Sequence, residues 1–322
     1  MKTRLTDAFG LKWPIVSAPM AGAAGGALAG AVSGAGGLGL IGGGYGDADW
    51  IDAEFARAGA AGAAGAPVGC GMITWRLDEA LLERILAQTP RAVFLSFGDV
   101  AAYAPRIHAA GVPLIAQVQD MEAARAAVDA GAQVIVAQGS EAGGHGASRA
   151  TMTLVPEVAD FLAAQSPDTL LLAAGGIADG RGLAAALMLG ADGAVVGSRL
   201  WAAAEALVPE GLHRAATAAT GDATLRTRVP DVARGMDWPR PFNIRVMRSA
   251  GTENWHGAPE QMSEADRAAW RAAMAAGDAR MATPIVGEAV GLIGDIRPAA
   301  QIVAQIGEEA ARLLRGGWAK GA

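Results

Sequence analysis

Short, continuous runs of apolar residues alternate with alanine-rich segments between residues 15 and 201 of the chain. Runs without alternating polar positions are typical of strands that are buried on both faces. Eight such runs occur, bounded by glycine or proline: IVSAP from Ile15, LGLI from Leu38, VGCGMI from Val68, AVFLSF from Ala92, LIAQV from Leu114, QVIVAQ from Gln133, LLLAAGG from Leu170 and GAVVG from Gly193.

The alanine-rich segments between these runs have the periodicity of helices. Several end on a glycine at the position that commonly terminates a helix, as at Gly111, Gly131 and Gly190. Strands that alternate with helices pair in parallel, because a crossover helix returns the chain to the same end of the sheet. Eight such units predict an α/β fold, a (β/α)8 TIM barrel, rather than an open sheet, which usually has about six strands.

The pattern changes near residue 226, where arginine, proline and tryptophan become frequent and the strand-helix alternation stops. We therefore expect residues 1–225 to form the barrel and residues 226–290 to form an insert or lid over its mouth. An ordinary additional packing layer explains residues 226–290 equally well. Helical patterns return at SEADRAAWRAAMAAGD and at RPAAQIVAQIGEEAARLLRG, and we expect residues 291–322 to form a closing helix packed on the barrel.

Composition narrows the class of protein. The chain is 52% hydrophobic, but the excess comes from alanine and glycine, and no run of about 18 bulky apolar residues predicts a membrane-spanning helix. The start, MKTRLTDAFGLKWP, does not resemble a secretory signal, and a single cysteine fits a reducing, cytoplasmic compartment. A net charge of -6 gives no electrostatic reason to expect nucleic acid or an anionic membrane as a partner.

The segment AAGGIADGRGLAAALMLGADGAVVGSRL contains two successive turns from a strand into a helix. The first turn contains Gly175 and Gly176, with a helix beginning near Asp179, and the second contains Gly197 and Ser198. Bare backbone N–H groups at such turns, assisted by the helix dipole, bind phosphate, and barrels commonly bind phosphate after strands seven and eight. The alternative is that these glycines only permit tight turns.

His145 lies in a glycine cluster, SEAGGHGASR, just after the sixth predicted strand. Gln117 and Gln138 end strands five and six, so all three side chains face the end of the barrel where the predicted phosphate site lies. A neutral imidazole there could accept a proton near pH 7. The alternative is a tight turn in which His145 is only solvated. No grouping of histidines or carboxylates has the spacing of a metal site, and none is predicted.

Several of these motifs, in this order, resemble the nitronate monooxygenases, formerly called 2-nitropropane dioxygenases: IVSAPMAG, AGGLGLIGGG, QGSEAGGHG, AAGGIADGRG and GADGAVVGSR. The resemblance covers residues 15–201, and GTENWHG and GEAVGLIGDIRPAA near the C-terminus are also similar to that family. The pair EAGGHG and AGGIADG also occurs in the related FMN-dependent enoyl-ACP reductases. The resemblance implies a TIM barrel and FMN as the cofactor.

The resemblance also implies the residues around the flavin. It would place His145 at the reactive end of the cofactor, and the phosphate on Gly176 and on the segment formed by Val195, Val196, Gly197 and Ser198. The remaining contacts would be Ala18, Pro19, Met20, Gly71, Gln117, Gln138, Gly143, Gly144 and Gly175. Many relatives have asparagine where Gly71 aligns, so contact there would come from the backbone. Some have lysine at Gln117, which changes the charge near the flavin, and many have threonine at Ser198, which keeps the hydroxyl.

The function that the resemblance implies is oxidation of alkyl nitronates by O2 to a carbonyl compound and nitrite. The partners would then be a small-molecule substrate and O2. One alternative is an NAD(P)H-dependent flavin reductase of the enoyl-ACP type, although residues 226–280 differ from the short tail of those reductases. Another is a flavin-binding or assembly protein without catalysis, in which His145 is only structural.

Overall fold

The eight apolar runs form the parallel strands of one sheet. The computed structural model describes residues 1–61 and 67–317. We number the strands along the chain together with three strands of a second sheet. The strands of the first sheet are β1 Ile15–Ser17, β2 Leu40–Gly44, β3 Gly69–Ile73, β4 Val93–Ser96, β5 Leu114–Val118, β6 Val134–Gln138, β8 Leu170–Ala174 and β9 Gly193–Val196.

The sheet closes on itself. Its strand order is β1-β9-β8-β6-β5-β4-β3-β2, and a parallel bridge between Val16 and Leu38 joins the first strand to the segment that leads into β2. Ser17 N donates to the carbonyl of Leu38, and Leu38 N donates to the carbonyl of Ile15, both at 2.9 Å. The predicted (β/α)8 barrel is confirmed.

Side chains alternate between two buried layers along each barrel strand, because successive residues of a strand point to opposite faces. On β6, Val134 and Val136 belong to the cluster inside the barrel, and Ile135 belongs to the cluster between the barrel and its helices. Leu5 and Phe9 from the first helix pack with the inner cluster. Continuous apolar runs are therefore required, since both faces of each strand are covered.

Helix α1 Arg4–Phe9 precedes the first barrel strand, and α9 Ser198–Trp201 follows the last one. The helices that connect barrel strands are α2 Gly26–Gly34, α3 Ala48–Ala61, α4 Glu79–Ala87, α5 Ala104–Ala109, α6 Met121–Asp129, α7 Thr151–Gln165 and α8 Gly180–Met188. The glycines predicted to terminate helices, Gly111, Gly131 and Gly190, have φ values of +70°, +78° and +96°. Asp78 and Asp120 cap the starts of α4 and α6 with their carboxylates, which accept hydrogen bonds from backbone N–H groups.

A second sheet joins the barrel to the segment that follows it. Its antiparallel strands are β7 Gly144–Gly146, β10 Thr224–Thr227 and β11 Asn243–Met247, in the order β10-β11-β7. The boundary predicted between residues 225 and 226 falls inside β10. Further helices are α10 Glu210–Thr217, α11 Val229–Ala233, α12 Ala250–Trp255, α13 Glu264–Ala276 and α14 Ala299–Leu314, with short 3₁₀ turns at Thr74–Arg76, Gly221–Ala223, Pro259–Gln261 and Glu288–Leu292.

Helix α14 is the helix expected to close the barrel, and it packs against α8 and α2. Ile302, Val303 and Ile306 on its buried face join the outer hydrophobic cluster. Residues 318–322 of the predicted closing segment lie outside the described residues. Within the described part of the chain, no helix combines the length and apolar character needed to cross a membrane.

Candidate active site

A cavity of about 410 Å³ opens at the carboxyl ends of the barrel strands. Segments that follow β1, β3, β4, β6, β8 and β9 contribute to its wall, as expected for a barrel, where these ends meet at one face. Among the residues that line it are Ala18, Pro19, Met20, Gly71, Gln117, Gln138, Gly143, Gly144, His145, Gly175, Gly176, Val195, Gly197 and Ser198.

Val196 is the one predicted contact residue that does not line the cavity. Its side chain is completely buried and packs in the outer cluster, between the barrel and the helices. The neighbouring Val195 packs in the inner cluster and also reaches the cavity. Only one of two consecutive side chains can point into the barrel, so any contact of Val196 with a cofactor would come from its backbone.

The turn after β8 has the geometry expected of a backbone anion site. Gly175 and Gly176 have φ values of +107° and +76°, a conformation that glycine adopts most readily. Their turn lies beside Gly197 and Ser198, which begin the short helix α9 and line the same cavity. Within the described part of the chain, the N–H groups of Gly176, Ile177, Gly197 and Ser198 donate no hydrogen bond. Four bare donors at one end of a cavity suit a phosphate group.

The first N–H groups of α8, which the sequence placed beside the predicted phosphate site, are occupied by side chains. Asp179 Oδ1 accepts hydrogen bonds from the N–H groups of Arg181 and Gly182, and Glu309 Oε2 accepts one from Gly180 at 2.8 Å. Two carboxylates therefore cap the start of α8. The available donors belong to the β8 turn and to the start of α9.

A distant segment braces the same end of the cavity. Gly287 N donates to Ser198 Oγ at 2.8 Å, which leaves the hydroxyl hydrogen of Ser198 free to point elsewhere. Glu288 N donates to the carbonyl of Glu141 at 3.0 Å. A Cβ atom at Gly143 would lie 2.5 Å from the backbone N of Gly287, so this close approach requires glycine. Residues 287–291, GEAVG, thus pack against the loop after β6 and bond to its backbone.

His145 lies in β7, not in an open loop as the sequence suggested. It pairs with Ile244 of β11 and is only 8% exposed. Its Nε2 atom lies 3.0 Å from both carboxylate oxygens of Asp231, a completely buried residue on α11. The imidazole also stacks on the indole of Trp238, with ring centroids 3.3 Å apart and planes inclined by 10°. The ring is therefore held on two sides by residues 226–290.

Burial lowers the pKa of His145 from its ordinary value of 6.5, because the buried ring loses the hydration of its charged form. The hydrogen bond and negative charge of Asp231 raise this pKa in part, whereas the charges of Arg234 and Arg226 lower it. The lowered pKa leaves the imidazole neutral at pH 7, and a neutral ring can accept a proton.

Two amides and two guanidinium groups hold the loop that carries His145. Gln138 Nε2 donates to the carbonyl of His145 at 3.0 Å, and Gln119 Nε2 donates to Gln138 Oε1 at 2.9 Å. Arg226 and Arg245 both donate to the carbonyl of Ser140, at 3.0 Å and 2.9 Å. Gln138 is thus a structural support for β7 as well as a residue that lines the cavity.

Aromatic side chains form the wall on the side of residues 226–290. Phe97 packs edge-on against Trp238, with centroids 5.2 Å apart, and has an unusual φ of +63° for a residue with a side chain. Trp238 Nε1 donates to the hydroxyl of Tyr45 at 3.2 Å. Arg234 also lines the cavity, and it donates to Asp231 Oδ1 at 2.8 Å.

Sequence reasoning missed Asp231, Arg234 and Trp238. They occur in PDVARGMDW, and the change in composition near residue 226 was the one signal that marked this stretch. No spacing within the stretch indicates that it would meet a histidine in the loop after β6. At Gly71, where relatives often have asparagine, a Cβ atom would collide with the ring of Pro19, so the packing here requires glycine.

Comparison with known proteins shows the family of the chain. The family model for nitronate monooxygenase matches residues 2–80 and 74–309. A nitronate monooxygenase of Neurospora crassa is 33% identical over 94% of this chain and 90% of its own length. The nitronate monooxygenase npaC of Metarhizium robertsii is 35% identical over 93% of this chain and 91% of its own.

Two solved structures cover 98% of this chain. FabK from Thermotoga maritima superposes with a TM-score of 0.85 at 28% identity, covering 98% of that chain. The nitroalkane oxidase from Streptomyces ansochromogenes has a TM-score of 0.83 at 27% identity, covering 99% of that chain. The fold is therefore shared by proteins of both names, and the family model together with the two relatives identifies the family. The chain belongs to the nitronate monooxygenase family.

Proposed function

We propose that this protein is an FMN-dependent enzyme that oxidises alkyl nitronates with O2 to a carbonyl compound and nitrite. The observation that carries the proposal is one cavity with a row of bare backbone donors at one end and a buried, neutral histidine in its wall. Nitronate monooxygenases are flavin-dependent oxidoreductases, and relatives that match most of the chain carry that name.

The donor set fits one phosphate group of a flavin mononucleotide. The N–H groups after β8 and β9 would hold the phosphate, with the hydroxyl of Ser198 beside them. Ala18, Pro19 and Met20 after β1, together with Gly71, would lie along the flavin ring system, because small residues and bare backbone permit close approach. Gln117, Gln138, Gly143 and Gly144 complete the proposed set of contacts.

Bound FMN would supply the redox chemistry, and the residues of this chain would position the substrate. His145 has two possible tasks. It would bind the nitro group, or it would accept the α-proton when the substrate is a neutral nitroalkane. A nitronate is already deprotonated, so it needs no base. Phe97, Trp238 and neighbouring apolar side chains would exclude water from the reacting atoms.

The charge of the cavity favours this function over an NAD(P)H-dependent reductase. Arg234 is the sole lysine or arginine among the described residues that line the cavity, and its guanidinium is paired with Asp231. A dinucleotide carries several phosphate charges, which proteins usually meet with free cations or bare backbone donors. The bare donors after β8 and β9 are assigned to the proposed FMN phosphate, and within the described part of the chain no cation other than the paired Arg234 lines the cavity.

Release of the bound flavin tests the assignment of the cofactor. The purified protein is expected to be yellow and to release FMN, not FAD, on denaturation. Under anaerobic conditions an alkyl nitronate alone should bleach the flavin absorbance. Bleaching by NADH or NADPH but not by nitronate would establish the reductase function instead. A colourless protein that takes up no added FMN would overturn the assignment of the cofactor.

A substitution of His145 separates its two possible tasks. His145→Ala should retain FMN, because the proposed phosphate donors are other residues, and should lose about 10²–10⁴-fold in rate on a neutral nitroalkane. With the preformed nitronate the loss should be much smaller if His145 is a base, and equal if it binds the nitro group. Equal rates of variant and parent on both substrates would exclude a catalytic role for His145.

A further inference from the structure

We propose that Asp231 is a positioning residue that fixes the tautomer of His145 and leaves Nδ1 as the ring nitrogen that accepts the substrate proton. This role rests on the proposed function, in which a neutral nitroalkane is the proton donor. Asp231 belongs to α11, in the segment that follows the barrel, while His145 belongs to the short strand β7.

The geometry assigns the proton on the imidazole ring. Both oxygens of Asp231 lie 3.0 Å from His145 Nε2, and the carboxylate is completely buried. A carboxylate that is ion-paired with an arginine can only accept hydrogen bonds, so Nε2 must carry the hydrogen. A neutral imidazole has one N–H group, and Nδ1 therefore has the free lone pair.

Nδ1 is the nitrogen that remains available. Within the described residues it makes no hydrogen bond, and the imidazole lines the cavity. Rotation of the ring is opposed by the stacked indole of Trp238 and by Phe97, whose ring packs edge-on at 6.1 Å. A ring flip that presented Nε2 to the cavity would remove the hydrogen bond to Asp231 and leave a buried carboxylate without this partner, which is costly.

The ring can take the substrate proton without any further reactant. The α C–H bond of the nitroalkane breaks, its electron pair remains on the substrate as the nitronate, and the proton goes to Nδ1. The resulting imidazolium donates from Nε2 to the carboxylate of Asp231 and lies over the face of Trp238, and both contacts stabilise a cation. Arg234, which donates to Asp231 at 2.8 Å, keeps the carboxylate in place.

Other charged and titratable groups on the elements around the ring act against the imidazolium. Asp231 raises the pKa of His145, whereas Arg234, which follows α11, and Arg226 on β10 lower it. Nearby, Arg245 on β11 pairs with Gly144, and Tyr45 after β2 accepts a hydrogen bond from Trp238 Nε1. Removing the charge of Asp231 should therefore weaken His145 as a base.

Asp231→Asn tests the role in catalysis. We expect kcat/KM on a neutral nitroalkane to fall about 10²-fold, with a much smaller loss on the preformed nitronate. The pH at which the base becomes active should fall by about 1–3 units, the effect of losing a nearby opposite charge. FMN content should remain that of the parent. Glu260→Gln is the matched control, because it also removes a carboxylate paired with an arginine in this segment, at 2.7 Å, without contacting His145.

The tautomer is measured without substrate or turnover. In protein labelled with ¹⁵N-histidine, His145 should show a protonated Nε2 and an unprotonated Nδ1 at pH 7.5, with His145→Asn used to assign its signals. A proton on Nδ1 would overturn the proposal, as would equal loss on both substrate forms in Asp231→Asn. If Asp231→Asn does not fold, the tautomer measured in the parent protein still tests the assignment of Asp231. If no nitronate is oxidised, the proposed function fails, and the tautomer still tests the assignment of Asp231.

Discussion

At the scale of single residues, Gly176 illustrates how a backbone conformation serves a binding site. Its φ of +76° is strained for any residue with a side chain, yet an added Cβ atom would meet its nearest neighbour, Glu141 Cβ, at 3.6 Å. That distance is ordinary van der Waals contact. The protein interior therefore does not explain the glycine by steric exclusion, and the remaining reasons are the conformation and the approach of a ligand.

Gly176→Val should therefore reduce FMN affinity by about tenfold or more for each phosphate hydrogen bond that is lost. Gly111→Val is the matched control, because Gly111 has a φ of +70° and no atom within 4 Å of its added Cβ. Both variants should lose about 1–3 kcal/mol of stability from backbone strain. Fluorescence titration with FMN and thermal unfolding measure the two effects. Equal FMN affinity in both variants would place the phosphate elsewhere.

At the scale of elements, the small sheet connects the segment after the barrel to the loop that carries His145. Strand β11 pairs with β7 on one side and with β10 on the other. Arg226 and Arg245, from β10 and β11, both donate to the carbonyl of Ser140. Burial lowers the pKa of Arg226 to about 10, so this guanidinium is still charged at neutral pH. Charge-assisted hydrogen bonds of this kind are stronger than neutral ones.

Removal of one of these arginines should loosen β7. In Arg226→Met we expect faster hydrogen exchange at the amides of Gly144–Gly146 and a weaker pairing of His145 with Asp231. Arg248→Met serves as the control, because Arg248 forms a half-exposed ion pair with Glu253 near the end of β11. Surface pairs contribute about 0–1 kcal/mol, so that variant should exchange like the parent. Unchanged exchange in Arg226→Met would show that Arg245 alone is sufficient.

At the scale of the whole molecule, the barrel contains two buried layers. The reactivity of Cys70 can be used to measure whether the outer layer opens. Its side chain is completely buried in β3, within the cluster between the strands and the helices. Burial raises the pKa of the Cys70 thiol to about 12, because the thiolate would lose its hydration. A thiol must ionise and be accessible to react, and Cys70 meets neither condition in the folded state.

The native protein should therefore resist a thiol reagent at pH 8 and react fully in denaturant. The rate of labelling at low denaturant should follow opening of the barrel, since Cys70 is the single cysteine of the chain. Met188→Cys gives the control, because Met188 is 78% exposed and its replacement should be labelled at once. Fast labelling of Cys70 without denaturant would mean that the outer layer opens locally.

The sequence by itself determined that the chain forms a barrel and that the candidate site lies at the carboxyl ends of its strands. Apolar runs such as VIVA and LLLAA have no polar positions, which is typical of strands covered on both faces. Parallel strands then bring their carboxyl ends to one face, so Gln138, Gly176 and Ser198 had to meet there. The motifs around them carried the family resemblance, because residues that hold a ligand through backbone leave short local patterns.

The tertiary structure alone decided the surroundings of His145. Its partner Asp231 is 86 residues away in sequence, and no periodicity relates the two positions. The same holds for the stack on Trp238 and for the pairing of β7 with β11, which the glycine cluster around His145 did not predict. The orientation of Val196 and the capping of α8 by Glu309 were also decided by packing. Local patterns record which faces a segment must bury, whereas contacts between distant segments depend on how the whole chain packs.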